Sequence, residues 1–284
     1  MPMTDSIQQQ LEWATKSLYS ISCSAGLDSE VLLAHCLQKD RSYLLTWPER
    51  ELTPQQLSCF HALVRRRLQP QPVAYLVGHR EFYSMQFTTT SATLVPRPET
   101  ELLVDTLLEL LAHPAIDKMS PKVLELGTGT GAIALALKQH APHVDIVATD
   151  ISPSALEVAA GNALDHQLKI SFIESSWFQR IAPERFDIIA SNPPYIAASD
   201  PYLSQGDLPA EPIQALSSGE TGLEALAEII DGSSAYLKPG GWIVLEHGYD
   251  QEAAVSGLLA ESGFQQITTL RDFNDQPRLT LATK

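Results

Sequence analysis

The sequence predicts an α/β fold: a seven-stranded, mostly parallel sheet covered by helices, preceded by a small helical domain and a β-hairpin connector. Three observations predict it. Short apolar strands alternate with helical runs after Pro121, a glycine-rich loop follows the first of those strands, and the first seventy residues carry helical periodicity throughout.

Residues 1–70 form the expected helical domain. Val31-Leu32-Leu33-Ala34 and the stretch from Leu57 to Leu68 place apolar residues three and four apart. Asp28-Ser29 and Thr53-Pro54 look like helix starts, the second with proline just inside the first turn. Arg65-Arg66-Arg67 is the one tight basic cluster and reads as a solvated helix end complementing the dipole. Residues 71–97 read as a connector. Tyr75-Leu76-Val77, Glu81-Phe82-Tyr83 and Met85-Gln86-Phe87 suggest a hairpin or extended chain, and Pro96-Arg97-Pro98 stops it. Glu101 to Leu111 is an amphipathic helix that opens the third region, 98–284.

Within that region the strands are expected at 122–126, 145–149, 169–173, 187–190, 242–246, 265–270 and 279–282. Helices are expected at 132–140, 152–166, 222–237 and 252–262. Strands separated by helices pair in parallel. No helix separates the last two strands, so an antiparallel hairpin is expected at the sheet edge.

Composition narrows the function. A chain with 44% hydrophobic and 19% charged residues can build a core. Its opening residues lack the cationic start and apolar run of a leader, and no apolar run approaches the ~20 residues that cross a bilayer. A cytoplasmic protein without membrane association is expected. Cys23, Cys36 and Cys59 are odd in number and show no Cys-x-x-Cys spacing, and the eight histidines show no metal-ligand spacing. No metal is expected. The net charge of −15, from 34 acidic against 19 basic residues, disfavours a nucleic-acid substrate, whose phosphates are bound through Lys and Arg.

The glycine loop is Gly127-Thr128-Gly129-Thr130-Gly131, at the carboxyl end of the first sheet strand. Glycines there accept positive φ and let a ligand approach the backbone, at the edge where open α/β sheets bind ligands. Gly127, Gly129 and Ala132 also satisfy the dinucleotide pattern, and Asp150 is placed to bind a ribose in either case. From the loop alone a dehydrogenase fits as well as a methyltransferase.

Glu125, two residues before Gly127, favours the second, and Asn192-Pro193-Pro194-Tyr195 decides for it. An amide or exocyclic amino nitrogen is a poor nucleophile because its lone pair is delocalised. The Asn192 side-chain oxygen and the Pro193 carbonyl can each accept one N–H bond and turn the lone pair toward an activated methyl group. Both acceptors act more strongly as charge develops on nitrogen. The prolines stiffen the turn, Tyr195 can pack against a flat group, and transfer is direct. The sequence shows no dedicated general base.

With these residues in place the chain closely resembles the bacterial peptide chain release factor glutamine methyltransferase family, also called HemK or PrmC. The likeness covers Pro72 to Tyr75 with Gly78 and Glu81-Phe82, Val95 to Glu101, the glycine loop, Asn192 to Ile196, and Glu211-Pro212 with Ala215-Leu216. It continues through Gly240-Gly241, Glu246-His247-Gly248, and Asp272 with Arg278. The resemblance implies a class I methyltransferase fold, Rossmann-like. It also implies S-adenosyl-L-methionine as cofactor, S-adenosyl-L-homocysteine as its product, and the glutamine of the Gly-Gly-Gln motif in release factors as substrate, with a role in translation termination. Gly127 to Gly131 would cradle the cofactor, Asp150 its ribose and Trp177 its adenine, with Asn192 close by. Asn192, Pro193, Pro194 and Tyr195 would hold the substrate amide, and the helical domain would bind the release factor. The family usually has an acidic residue where Ser176 stands, so cofactor affinity could be lower here unless Glu174 substitutes. Glu246 and His247 are expected to make structural hydrogen bonds.

Three alternatives compete. A glutamine methyltransferase acting on a ribosomal protein would share this catalytic domain. An adenine-amino DNA methyltransferase uses the same tetrapeptide but needs a basic face and base flipping. A non-catalytic binding protein would not need the glycine loop, Asp150 and Asn192 together.

Overall fold

The computed structural model describes residues 5–114, 116 and 119–284. The opening Met1–Thr4, part of the stretch that suggests no leader, lies outside them. The chain divides into two compact units, Met1–His79 with Ser204–Glu211, and Arg80–Leu203 with Pro212–Lys284. The first unit therefore runs past residue 70 and takes in a short segment from far along the chain.

The first unit contains α1 (Ile7–Leu18), α2 (Ala25–Leu37), α3 (Arg41–Thr46), α4 (Pro54–Arg67) and α5 (Val73–Val77). Their apolar faces meet in a core that includes the fully buried Ile7, Leu18, Leu32, Leu33 and Phe60. Helix α4 starts where the sequence places it. The Thr53 hydroxyl accepts from Gln56 N at 3.3 Å, the Gln56 side chain accepts from Thr53 N at 2.9 Å, and Pro54 follows the cap.

Three expectations in this unit need correction. Helix α2 starts at Ala25, not at Asp28-Ser29. Asp28 is instead a buried first-turn residue that accepts from the Ser24 hydroxyl at 2.9 Å and from Arg67 Nε at 2.9 Å. Arg67 is not part of a solvated helix end. It is 4% exposed, and its Nη1 donates to Asp207 at 2.7 Å, so one guanidinium pairs two carboxylates. Tyr75-Leu76-Val77 is helical, not extended, because a five-residue apolar run has no period long enough to separate the two states. Gly78, at φ 83°, ends the helix with its N–H on Ala74 O at 2.8 Å.

Strands β1 (His79–Phe82) and β2 (Met85–Thr88) pair through the two-residue turn Tyr83-Ser84, both residues at positive φ. A 3₁₀ turn at Pro98–Thr100 leads into α6 (Glu101–Leu111). Then follow β3 (Lys122–Leu126), α7 (Ala132–His140), β4 (Asp145–Asp150), α8 (Pro153–Asp165), β5 (Ser171–Glu174) and β6 (Phe186–Ser191). After the short α9 (Ile213–Leu216) come α10 (Glu224–Tyr236), β7 (Leu237–Glu246), α11 (Glu252–Glu261), β8 (Gln265–Arg271) and β9 (Pro277–Thr283).

The seven-stranded sheet has the order β5-β4-β3-β6-β7-β9-β8. Its first five strands pair in parallel, and β9 inserts antiparallel to both β7 and β8, the edge hairpin expected from the missing helix. Every residue of β6 is buried because apolar clusters cover both sheet faces, one containing Leu103, Leu107 and Leu135, the other Leu226, Ile229 and Val255. The chain starts at β3, winds outward to β5, and returns through β6 on the other side. The switch between β3 and β6 opens a crevice at the carboxyl ends of the strands, where such sheets bind ligands.

Candidate active site

At that crevice a cavity of about 370 Å³ collects residues from the ends of β3, β4, β5 and β6. The chain leaves β3 through Gly127, Gly129 and Gly131, at φ 74°, 55° and 80°, and enters α7. These left-handed backbones are the reason for glycine here. At Gly131 a Cβ would also crowd Ala159 and Leu135 at 3.2 Å each.

Two carboxylates hold the loop open. Asp150, at the end of β4, accepts from Gly129 N at 2.8 Å through one oxygen and from Ser152 N at 2.9 Å through the other. Burial raises its carboxyl above the ordinary range, opposed by those backbone N–H groups. Glu125 lies behind the loop, 1% exposed, where its Oε2 accepts from the Thr128 hydroxyl at 2.8 Å and from Ala134 N at 3.1 Å. Its Oε1 has no hydrogen-bond partner, and burial pushes the carboxyl up to about 8. Asn162 adds a third tie: its Nδ2 donates to Thr130 O at 2.9 Å and to Thr88 O at 3.2 Å, linking the loop to the hairpin.

Gly127, Thr128, Gly129, Thr130, Asp150, Trp177, Asn192 and Pro194 all line the cavity; Gly131, Pro193 and Tyr195 adjoin these residues along the chain. Trp177 adopts φ 44°, and the Ser175 hydroxyl donates to its carbonyl at 2.9 Å. Ser176 is on the wall beside it, whereas Glu174 is exposed, pairs with Arg180 at 3.2 Å, and is absent from the wall. Glu174 therefore does not replace the acidic residue missing at Ser176.

Asn192 follows β6 directly, and its Nδ2 donates to Thr100 Oγ1 at 3.1 Å. Pro193 is buried, and the half-buried Tyr195 packs against the apolar cluster that includes Leu226 and Val255. Its phenol is raised by that burial. The Tyr195 ring thus braces the turn against that apolar cluster. Gln251 Nε2 fixes the turn by donating to Tyr195 O at 3.0 Å, and Ile196 N donates to Leu216 O at 3.0 Å.

Four residues matter here that site reasoning passes over: Arg97 and Thr100 on the cavity wall, Asn162 behind the loop, and Glu246. Arg97 reads as part of the stop at Pro96-Arg97-Pro98, and Thr100 enters only within the resemblance at Val95 to Glu101. Glu246 and His247, grouped together as structural, separate in the fold. His247 is structural: Nδ1 bonds Gly248 O at 2.8 Å and Nε2 the Thr280 hydroxyl at 2.8 Å. Glu246 meets Thr100 and Asn192.

A glycine loop, a strand-end aspartate and an Asn-Pro-Pro-Tyr turn around one crevice define a methyltransferase of the α/β type. Residues 99–205 match the methyltransferase small domain family, and residues 9–78 match the PrmC N-terminal domain family. The release factor glutamine methyltransferase of Shewanella oneidensis is 43% identical over 276 residues, 97% of this chain and 95% of that one. That of Xylella fastidiosa is 46% identical over 256 residues, 90% and 92% of the two chains. The chain belongs to the release factor glutamine methyltransferase family. Among solved structures, the hMettl16 catalytic domain bound to an MAT2A 3'UTR hairpin superposes with a TM-score of 0.56 at 16% identity, over 78% of this chain and 81% of that one. The T. thermophilus 16S rRNA N2 G1207 methyltransferase with AdoMet and guanosine gives 0.52 at 22% identity, over 72% and 49%. Both share the fold. Among the described residues no helix is long and apolar enough to cross a membrane.

Proposed function

We propose that this enzyme methylates the side-chain amide nitrogen of the glutamine in the Gly-Gly-Gln motif of peptide chain release factors, using S-adenosyl-L-methionine. One observation carries the reading: Asn192, tied through its NH2 to Thr100, stands on the same cavity wall as the glycine loop and Asp150. The donor set fits the cofactor. Asp150 keeps acceptor capacity beyond its two backbone bonds for ribose hydroxyls, Gly127 to Thr130 offer close backbone approach, and Trp177 offers a flat face. S-adenosyl-L-methionine, when bound, supplies a methyl group activated on a sulfonium.

The chain's own residues then do positioning. Asn192 Oδ1 and the Pro193 carbonyl accept the two amide N–H groups and hold the nitrogen in one orientation. Their dipoles gain strength as positive charge grows there, and effects of this kind contribute roughly 10²–10³-fold per group. No carboxylate is needed to remove a proton before transfer. The helical unit, matched over residues 9–78 to the PrmC N-terminal domain, would recognise the release factor body; exposed Leu45 and Trp47 offer apolar contacts there.

Mass spectrometry of purified release factor and ribosomal proteins, each incubated with the enzyme and S-adenosyl-L-methionine, tests the substrate. A methyl group on the release factor glutamine is the expected result; labelling confined to a ribosomal protein would overturn it. Asn192→Ala should remove turnover while calorimetry still detects cofactor binding.

A further inference from the structure

Glu246 ends β7, beside the strand whose last residue precedes Asn192; Ser191 is in register with Leu245. Glu246 is 2% exposed; its carboxyl faces the Thr100 hydroxyl and the Asn192 side chain, and Asn192 Nδ2 donates to Thr100 Oγ1 at 3.1 Å. One oxygen, Oε2, has no hydrogen-bond partner. Such a buried carboxyl is costly to keep and calls for a role.

The hydrogen-bond chemistry supplies one. An ionised carboxylate only accepts, so Thr100 must give Glu246 its single proton and turn a lone pair toward Asn192. Only the NH2 end of the Asn192 amide can meet that lone pair, or meet the carboxylate itself. The side-chain oxygen is thereby left for the cavity. Were Glu246 neutral or amidated, Thr100 could donate instead, and the Asn192 amide could turn over. Its NH2 would then face the substrate NH2, donor against donor.

We propose that Glu246 and Thr100 are positioning residues that set the polarity of the Asn192 amide, keeping its oxygen toward the substrate nitrogen. This rests on the reading that Asn192 grips a glutamine amide, and it adds a reason why the grip has one direction. The charged or titratable groups facing Glu246 are Arg278 from β9, Glu99 from the turn before α6, and Tyr195 after β6. Burial outweighs the Thr100 and Asn192 side chains and the Arg278 guanidinium and pushes Glu246 up to about 7, so the polarity should fade as pH falls through neutrality.

Steady-state kinetics on whole release factor, from about pH 6 to about pH 9, tests this with the full-length enzyme and Glu246→Gln, Thr100→Val and Thr100→Ser. Wild-type kcat should rise along a limb near neutrality. Glu246→Gln should lower kcat by about 10–10³-fold and erase that limb, with KM and calorimetric cofactor affinity changed only a few-fold. Thr100→Val should lower kcat similarly, and Thr100→Ser, which restores the hydroxyl, should recover it. A Glu246→Gln enzyme with wild-type kcat and an unchanged limb overturns the proposal. If that variant does not fold, a Thr100→Val enzyme as fast as Thr100→Ser overturns it equally. A wild-type enzyme that methylates no glutamine would refute the underlying reading; a competent wild type with indifferent variants would refute only the relay.

Discussion

Gly222 lies so close beneath Tyr195 that a Cβ on it would sit 2.4 Å from the Tyr195 carbonyl oxygen and 3.0 Å from Ala197 N. Gly222 also holds φ 79°, and Gln251 Nε2 donates to the carbonyls of both Tyr195 and Gly222. The obstacle is backbone, so an added methyl cannot be accommodated by a rotamer change. Gly222→Ala should push the Asn-Pro-Pro-Tyr turn out of place. Overpacking and the left-handed backbone together should cost about 2–4 kcal/mol in urea unfolding. Turnover should fall at least ~10-fold, because misplacement of about an ångström is enough for that. Cofactor affinity should survive, since Gly222 is not on the cavity wall. A variant of wild-type stability and rate would mean the turn is softer than its contacts require.

Glu125 makes stability depend on pH in a stated direction. The unfolded chain releases this proton near 4.5, whereas the folded protein holds it to about 8. Between those values the folded state holds this proton and the unfolded one does not, so the contribution of Glu125 to stability is fully present below 4.5 and is lost as pH rises through 8. Glu246, raised to about 7, acts in the same sense. Glu125→Gln keeps an oxygen for Thr128 and Ala134 but cannot ionise. It should flatten the decline between about pH 5 and about pH 8 by up to ~1 kcal/mol per pH unit, read from urea unfolding at several pH values. An unaltered slope would show that the folded carboxyl is already ionised.

Regular periodicity made the sheet legible: the limits of β3 and α7 can be read straight from Val123-Leu124-Glu125-Leu126 and the glycines that follow. The cavity was legible where a motif ends a strand, at Gly127, Asp150 and Asn192. What escaped was side-chain partnership between distant segments. Nothing in the local pattern around Arg67 announces Asp207, one hundred and forty positions away. Thr100 and Glu246 are separated from Asn192 in sequence and meet it only because a turn and a neighbouring parallel strand deliver them. The short α5 was misread for a different reason: at five residues, strand and helix periods are indistinguishable.

Arg67 leads to a prediction about the helical unit. It bonds Asp28, whose side chain is 8% exposed, and Asp207, at 30%. Arg67→Met would leave the Asp28 carboxylate buried without a counter-charge, and breaking such a pair from one side typically costs ~3–5 kcal/mol. Asp207 can turn to water and adds little. Adding Asp28→Asn to Arg67→Met should therefore recover much of the loss, which urea denaturation of the three proteins would measure. No recovery in the double variant would place the cost in lost packing of the arginine stem. Deleting residues 1–70 is a poorer test of the unit's role, because it would strip Ser204–Glu211 of the helices with which that segment folds.

Ser176 offers a gain-of-affinity prediction. It lines the cavity next to Trp177, at the position where the family resemblance implies an acidic side chain, and Glu174 is turned away onto Arg180. A hydroxyl can accept a bond from an adenine amino group, but a carboxylate accepts a stronger one, roughly 1.5–3 kcal/mol against about 1 kcal/mol. Part of that difference is spent on desolvating the new charge, and Asp150 on the same wall adds repulsion. Ser176→Asp should still tighten S-adenosyl-L-methionine binding by about three- to tenfold in calorimetry, with kcat little changed because the adenine end is remote from the transferred methyl group. Weaker binding in the variant would place the adenine edge away from Ser176 and reassign the flat face of Trp177 to another part of the ligand.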